Sequence, residues 1–518
     1  MVSLLFCIPS LAAAQLFTRG NQFLTPAASA TFGAGTAVAD GDFNGDGFTD
    51  LAVGEPNAAG GGGADAGRVQ VWFGSAAGLY LPIVLQQGLD GLPGEAEPGD
   101  IFGVTLAAGD FDHDGFDDLA IGVVFEDIVV GAGGFRDAGA IEVVYGSSTG
   151  LDTSRAHIFN QASAGVPGLP QSFAVFGYGL VAGDFNGDDF ADLAAGATGE
   201  DIGIELDAGK VYLFPGSTLG LTASGSVALD KSDAGGTASA GDQFGKVLAA
   251  GDFDADGIAD LAIGDPDETV NGASGAGAVW ILEGTGAGIA LPGTRLFQGR
   301  VLPSGTLPGV AEAGDNFGAS LAIADFDRTN AQSPRYQDLA IGVPHENDPA
   351  GAVEILAGSA NGITAAGSFL FAESDLSGAA ATPANFGTSL AAGPLHSLVR
   401  GDLIVGVPYD PAGGEAGAGR VFVIPGSANG LRLDLAGEWD ATRAGLACGP
   451  PTLDEGFGFA LALGNFDGNE VRDLAIGVPG FDAQGFRNFR GGVEVLYSAL
   501  FASDFETHDL TQWSSSAP

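Results

Sequence analysis

The stretch Gly41-Asp-Phe-Asn-Gly-Asp-Gly-Phe-Thr-Asp-Leu-Ala-Val-Gly54 decides how the whole chain is read, because it returns nearly intact at residues 109–122, 183–196 and 251–264. Three degraded copies follow at 324–342, 393–406 and 464–477. The first loop positions, Asp42, Asp110, Asp184, Asp252, Asp325, Pro394 and Asn465, stand 68, 74, 68, 73, 69 and 71 residues apart. A period of this size overrides the three separate domains that 518 residues would otherwise suggest.

Working outward from the acidic loop, every unit has the same parts. A Phe-Gly pair (Phe32, Phe102, Phe176, Phe244, Phe317, Phe386 and Phe457, each with the next Gly) opens a short apolar run into the loop. Leu-Ala-Ile-Gly or a variant follows, then a Gly-rich connection, then an alternating run such as Ala140-Ile-Glu-Val-Val-Tyr145. That run ends in Gly-Ser-x-x-Gly-Leu, and a fourth short run leads to the next Phe-Gly. Runs of four to seven residues, rich in β-branched and aromatic types and bounded by Gly, read as strands. No capped helical segment of ten residues is visible. Four short antiparallel strands can bury their faces only against neighbouring sheets, so the fold class expected is all-β, a seven-bladed β-propeller. The last unit stops after its third run, and the N-terminus carries a spare one, Leu16-Phe17-Thr18. The N-terminal strand is therefore expected to complete the last blade and close the ring.

Composition agrees with a turn-rich, folded and acidic chain. It has 88 Gly, 25 Pro, 45% hydrophobic residues and a formal charge of −47. Nucleic acid and anionic membranes are poor partners for that field, and cations are natural ones. Cys7 and Cys448 have no metal-site spacing and cannot make a disulfide scaffold. Residues 1–14 are apolar and end in Ala12-Ala13-Ala14, which suits a signal peptide, although the usual basic residue near the start is missing. The expected organisation is a signal at 1–14, a propeller at 15–498 and a tail at 499–518, in a secreted, monomeric protein. The N-terminal stretch is too short to span a bilayer.

The loops point to calcium. In Asp110-Phe-Asp112-His-Asp114-Gly-Phe116-Asp-Asp118, positions 1, 3, 5 and 9 offer carboxylates and position 7 a backbone carbonyl. Calcium takes six to eight hard oxygens, and Gly at position 6 permits the sharp turn. The Glu at position 12 of an EF-hand is absent. Loop 4 (Asp252, Asp254, Asp256, Ile258, Asp260) matches loop 2 in ligand number. Loop 1 (Asp42, Asn44, Asp46, Phe48, Asp50) and loop 3 (Asp184, Asn186, Asp188, Phe190, Asp192) each replace one carboxylate by an amide. Loop 7 (Asn465, Asp467, Asn469, Val471, Asp473) is weaker still. Loop 5 keeps Asp325, Asp327 and Asp338 around an insertion, and loop 6 has lost positions 1, 3 and 5. Four Ca²⁺ sites are expected, and up to six. A lone acidic turn of this kind is as often a solvated hairpin; four copies in register are not.

Phe-Gly, then Asp-x-Asp-x-Asp-Gly-x-x-Asp, then Leu-x-x-Gly-x-Pro resembles the FG-GAP repeat of integrin α-subunit propellers over about residues 16–498. The resemblance implies calcium in the loops between first and second strands, all on one face, with ligand sites on the opposite face. Integrin leg domains and a transmembrane helix have no counterpart here, so the chain looks more like stand-alone secreted bacterial members of the repeat family.

Other signals are weaker. Arg400-Gly401-Asp402 spells an adhesion tripeptide, but Asp402 is simply loop position 9 of unit 6. The five histidines form no spaced pair, and no nucleophile or acid/base pair stands out, so an enzyme is not expected. The expected function is binding of a protein or glycan, with catalysis on a glycan in the cleft as the alternative. Phe486, Arg487, Phe489 and Arg490, in the 2–3 loop of unit 7, are the candidate ligand-face residues, since Phe and Arg are frequent binding anchors.

Overall fold

In the computed structural model the described residues are 21–24, 37–59, 63–131, 133–327, 335–347, 350–377, 385–396, 399–441, 446, 453–469, 471–480 and 491–497. Seven four-stranded antiparallel sheets account for the repeats. Blade 1 is Val38–Gly41, Asp50–Gly54, Val69–Phe73 and Tyr80–Leu85. Blade 2 is Leu106–Gly109, Asp118–Val123, Ala140–Tyr145 and Asp152–Phe159. Blade 3 is Phe176–Gly183, Asp192–Ala197, Lys210–Phe214 and Val227–Leu229. Blade 4 is Val247–Gly251, Asp260–Asp265, Ala278–Leu282 and Thr294–Leu296. Blade 5 is Ser320–Ala324, Asp338–Val343, Ala352–Ala357 and Thr364–Phe371. Blade 6 is Ser389–Gly393, Asp402–Val407, Arg420–Ile424 and Gly437–Asp440. Blade 7 has Leu461–Gly464, Asp473–Gly477 and Val493–Leu496 from the C-terminal end of the ring.

The fourth strand of blade 7 is Gln22–Leu24, which pairs antiparallel with Val493–Leu496. It lies a few residues beyond the run at 16–18 singled out from sequence, which falls outside the described residues. Tyr497 fastens this closure. Its hydroxyl donates to Gln22 Oε1 at 2.6 Å and accepts from the Leu79 amide of blade 1 at 2.9 Å. The innermost strands of all seven blades contact their neighbours around the full circle, blade 7 against blade 1 included.

The apolar core follows from that arrangement. It is divided into seven wedges, one between each pair of adjacent blades, rather than gathered in one centre. The Phe-Gly pair is the bolt across each described wedge. The Phe102 ring is fully buried, and its amide donates to the Ala66 carbonyl of the preceding blade at 3.1 Å. Phe176, Phe244, Phe317, Phe386 and Phe457 repeat that bond to Ala138, Ala208, Ala276, Ala350 and Ala418. The Gly closing Leu-x-x-Gly is required by the same crossing. A Cβ on Gly54 would lie 2.0 Å from the Gly103 carbonyl oxygen, and one on Gly196 2.0 Å from that of Gly245.

Candidate metal loops and the opposite end of the blades

Because the strands are antiparallel, the 1–2 and 3–4 connections share one end of each blade, and the 2–3 connections and Phe-Gly approaches share the other. At the first end the acidic loops are wound by their own first residue. Asp42 accepts from the amides of Asp46 (3.1 Å) and Gly47 (2.9 Å). Asp110 does the same with Asp114 and Gly115, Asp184 with Asp188 and Asp189, and Asp252 with Asp256 and Gly257. Asp189 fills the turn that Gly takes elsewhere at φ 71°, a left-handed conformation that Asp adopts more readily than most residues.

Three loops bring carboxylate oxygens of three acids within 4.8 Å of one another: Asp110, Asp112 and Asp114; Asp252, Asp254 and Asp256; and Asp325, Asp327 and Asp338. Loop 5 thus gathers its acids despite the insertion. In loop 1, Asn44 Oδ1 accepts from the Asp46 amide, and in loop 3 the Asn186 side chain donates to Asp192. In loop 7, Asp467 accepts from the Asn469 amide at 3.2 Å. Loop 6 has only Asp402, with His396 Nδ1 2.8 Å from its Oδ2. The donor sets of loops 2, 4 and 5 are hard oxygens crowded around one turn, the type of donor that calcium takes, whereas in loops 1 and 3 the Asn side chains are engaged in hydrogen bonds within the loop.

The ninth position does a second job that the motif did not disclose. Asp50 is fully buried, taking the Phe43 amide on one oxygen at 3.0 Å and the Gly74 amide of the 3–4 turn on the other at 2.8 Å. Asp118, Asp192, Asp260 and Asp338 repeat both bonds, and Asp402 makes them to Leu395 and Gly426. Asp473 takes the Phe466 amide. Burial pushes the Asp118 carboxyl up to about 8 against its two amide bonds, with the charges of Asp112 and Asp110 adding to the rise. The signal was present in the sequence: unit 6 lost every other ligand position and kept Asp402.

The loops are also joined to each other. The carbonyl of Asp42 accepts from the Asp117 amide of the next loop at 3.0 Å; Asp110, Asp184, Asp252 and Asp325 accept likewise from Ala191, Ala259, Gln337 and Gly401, and Asn465 from Thr49. Position-7 side chains cover the preceding loop, Phe116 against Gly45, Ile258 against Gly187 and Phe48 against Gly468, while the Phe190 ring lies 5.6 Å from that of His113. Loop 2 carries an extra feature. Arg155, from the outer strand of blade 2, ion-pairs with Asp112 and reaches Asp114 at 3.7 Å.

At the other end the acids are buried between blades, which sequence reasoning missed. Glu200 of blade 3 meets Lys210 Nζ at 2.6 Å and the Tyr212 hydroxyl at 2.8 Å. Lys231, buried between blades 3 and 4, sits 2.7 Å from Asp242, 2.6 Å from Asp265 and 3.7 Å from Glu268. Burial works against its charge, but the pull of Asp265 and Glu268 holds its pKa above the usual lysine value. Beside it opens a cleft of about 720 Å³, lined by Trp280, Arg295 and Arg300 among others. Phe486, Arg487, Phe489 and Arg490 lie outside the described residues.

A closed ring of seven four-stranded blades, each with an Asp-rich loop at the same end, defines a β-propeller built from a repeat that carries its own candidate cation site. Residues 34–72, 102–123, 176–214 and 244–282 match the FG-GAP repeat, so units 1 to 4 are FG-GAP repeats, and the ring resembles the N-terminal propeller of integrin α-subunits. The chain is 34% identical over 182 residues to Drosophila melanogaster integrin alpha-PS5, covering 35% of this chain and 16% of that protein. With Xenopus laevis integrin alpha-4 it shares 30% over 220 residues, 41% of this chain and 19% of the other. With mouse phosphatidylinositol-glycan-specific phospholipase D it shares 32% over 178 residues, 33% and 20% respectively. The chain therefore spans about a fifth or less of the length of these relatives. A rhamnogalacturonan lyase from Bacillus licheniformis aligns with 92% of this chain and 75% of its own at a TM-score of 0.41 and 12% identity, too loose a likeness for any argument. Among the described residues no helix is long and apolar enough to cross a membrane.

Proposed function

We propose that the protein is a secreted, calcium-stabilised propeller that binds a protein or glycan partner through the end of the blades opposite its acidic loops. The observation that carries the calcium part is the shared winding of loops 1 to 4. In each, the first Asp folds back onto the backbone amides of positions 5 and 6, and in loops 2 and 4 three carboxylates converge. Asp42, Asn44, Asp46 and their counterparts would hold the ion, whose charge would offset their mutual repulsion. Four divalent ions would offset only eight of the 47 net negative charges, so the remaining acidity is a property of the surface.

The binding part rests on the cleft beside Lys231. It gathers Lys231, Arg295 and Arg300 in a chain with only 18 basic residues, the first two ion-paired with Asp242 and Glu268 of the same lining, and it lies at the end that the integrin resemblance assigns to ligands. A screen of glycan arrays, with acidic and neutral sugars, tests the reading. Binding that the Arg295→Ala/Arg300→Ala double variant loses is the expected result. Turnover of a polysaccharide by the purified protein would replace the binding module with an enzyme.

A further inference from the structure

The seven blade junctions are copies of one another, so each shows what the others need. At the junction of blades 3 and 4, four positions meet: Lys231, two residues past the last buried Leu of the outer strand; Asp242, two before Phe-Gly; Glu268, four after Leu-x-x-Gly; and Trp280, paired with Ile263 on the third strand. The ammonium of Lys231 neutralises the acids there. Elsewhere the counter-charge is Arg68 on Glu55, Lys210 on Glu200, or Arg420 on Asp410 and Glu373.

Two junctions have the acids without the base. Between blades 1 and 2 the Lys231 position is Gln87, the two acids are Asp100 and Glu126, and the Trp280 position is a further acid, Glu142. Between blades 4 and 5 the same places hold Gln298, Asp315, Glu346 and Glu354. The two sets are built alike. Gln87 Nε2 donates to Glu126 Oε2 at 2.9 Å, and Gln298 Nε2 to Glu346 Oε2 at 2.7 Å. Glu142 and Glu354 are wholly buried, and neither carboxylate has a hydrogen-bond partner among the described residues. The amide oxygens of Gln87 and Gln298 are likewise unpartnered. Glu126 is near enough to raise the pKa of Glu142 beyond the effect of burial, and Glu346 does the same to Glu354. Among the described residues no Lys or Arg ion-pairs with Glu126, Glu142, Glu346 or Glu354; at the second junction the field of His345 acts on Asp315.

A buried carboxylate with no hydrogen-bond partner and a second acid nearby must be neutralised, either by a proton or by a cation. We propose that these two junctions each bind a hard divalent cation, held by Gln87, Glu126 and Glu142 in one and by Gln298, Glu346 and Glu354 in the other. The ion takes the place that the Lys231 ammonium fills between blades 3 and 4. Carboxylate and amide oxygens select calcium or magnesium over softer metals. These sites lie at the opposite end of the blades from the acidic loops and do not depend on the loop reading.

The test is metal content after equilibration with millimolar calcium, and separately with magnesium, counted by mass spectrometry. Glu142→Gln/Glu354→Gln should carry about two ions fewer per chain than the parent in at least one of the two metals. Gln87→Lys/Gln298→Lys, which copies Lys231, should lose the same ions and melt higher than the parent in EDTA. If the glutamine variant fails to fold, Glu142→Tyr, which copies Tyr212 of blade 3, replaces it. A parent that binds ions while both variants bind equally many, and lysine variants with no gain in EDTA, would overturn the proposal in favour of shared protons or water. A parent with about two ions that both variants lose would instead remove the loop reading and leave this one standing.

Discussion

The two ends of the blades meet the same difficulty, crowded carboxylates, in opposite ways. At the loop end most acids at positions 1, 3 and 5 stay near solvent and are organised by backbone amides, while position 9 is buried in every blade and Asp112 is buried with it in loop 2. At the junction end the acids are interior, and in most blades a Lys or Arg is brought to them from a neighbouring strand. A near-surface acid cluster can wait for an ion from solution, because water stabilises it meanwhile. An interior one must be neutralised as the chain folds.

Removing calcium should have the largest effect, and in the Glu142→Gln/Glu354→Gln background it isolates the loop end. For a dissociation constant of ~0.1 mM at ~2 mM free calcium, linkage gives about 1.8 kcal/mol per site, or about 7 kcal/mol over four independent loops. EDTA should therefore lower the melting temperature by many degrees, and Asp114→Ala should cost more than Asp467→Ala. A melt indifferent to EDTA, or fewer than two ions per chain in the Glu142→Gln/Glu354→Gln background, would reduce these loops to ordinary turns.

Closure is the next largest effect. Deleting Gln22–Leu24 strips the outer strand from blade 7, exposes the Val493–Leu496 edge and removes buried Leu24, at a cost of about 5 kcal/mol. Deleting residues 507–518 should leave the melt unchanged. Equal effects of the two truncations would mean that the ring is held by the wedges alone.

Position 9 sharpens the comparison within the loop end. Asp402→Ala leaves the amides of Leu395, His396 and Gly426 without their acceptor, a loss of about 3 kcal/mol. That loss should be the same with and without calcium, since loop 6 lacks the other ligands. A calcium-dependent loss in thermal melts would contradict a purely structural Asp402.

The smallest expected effect lies at Arg155, which competes for Asp112 and Asp114. A partly exposed ion pair is worth up to about 1 kcal/mol, so Arg155→Met should tighten calcium binding at loop 2 by roughly threefold. Calorimetric titration of the variant checks this. Weaker binding would show that Arg155 orders the loop rather than competing in it.

Most of the fold was legible because the repeat is redundant. Seven copies of Phe-Gly and of Leu-x-x-Gly average out local ambiguity, and units 5 to 7 form blades although the FG-GAP match covers only the first four. The repeated acidic positions of the loops were legible for the same reason. Position 9 was harder: a motif shows that an Asp is present in every unit, not that its oxygens face amides 7 and 24 residues away. The junction acids were not legible, since Gln87, Glu126 and Glu142 are up to 55 residues apart and share no motif.

Period, strand number and the residue types of each acidic loop are local, repeated properties, and the amino-acid sequence determined them without help; it put the closing strand near the N-terminus, but only the structure showed it to be Gln22–Leu24. Which acids are buried, which blade supplies a counter-charge and which junctions go without one depend on side chains from adjacent blades meeting across a wedge. Only the tertiary structure decided those, because a carboxylate's cost is set by the dielectric and the partners around it, and neither exists until the ring has closed.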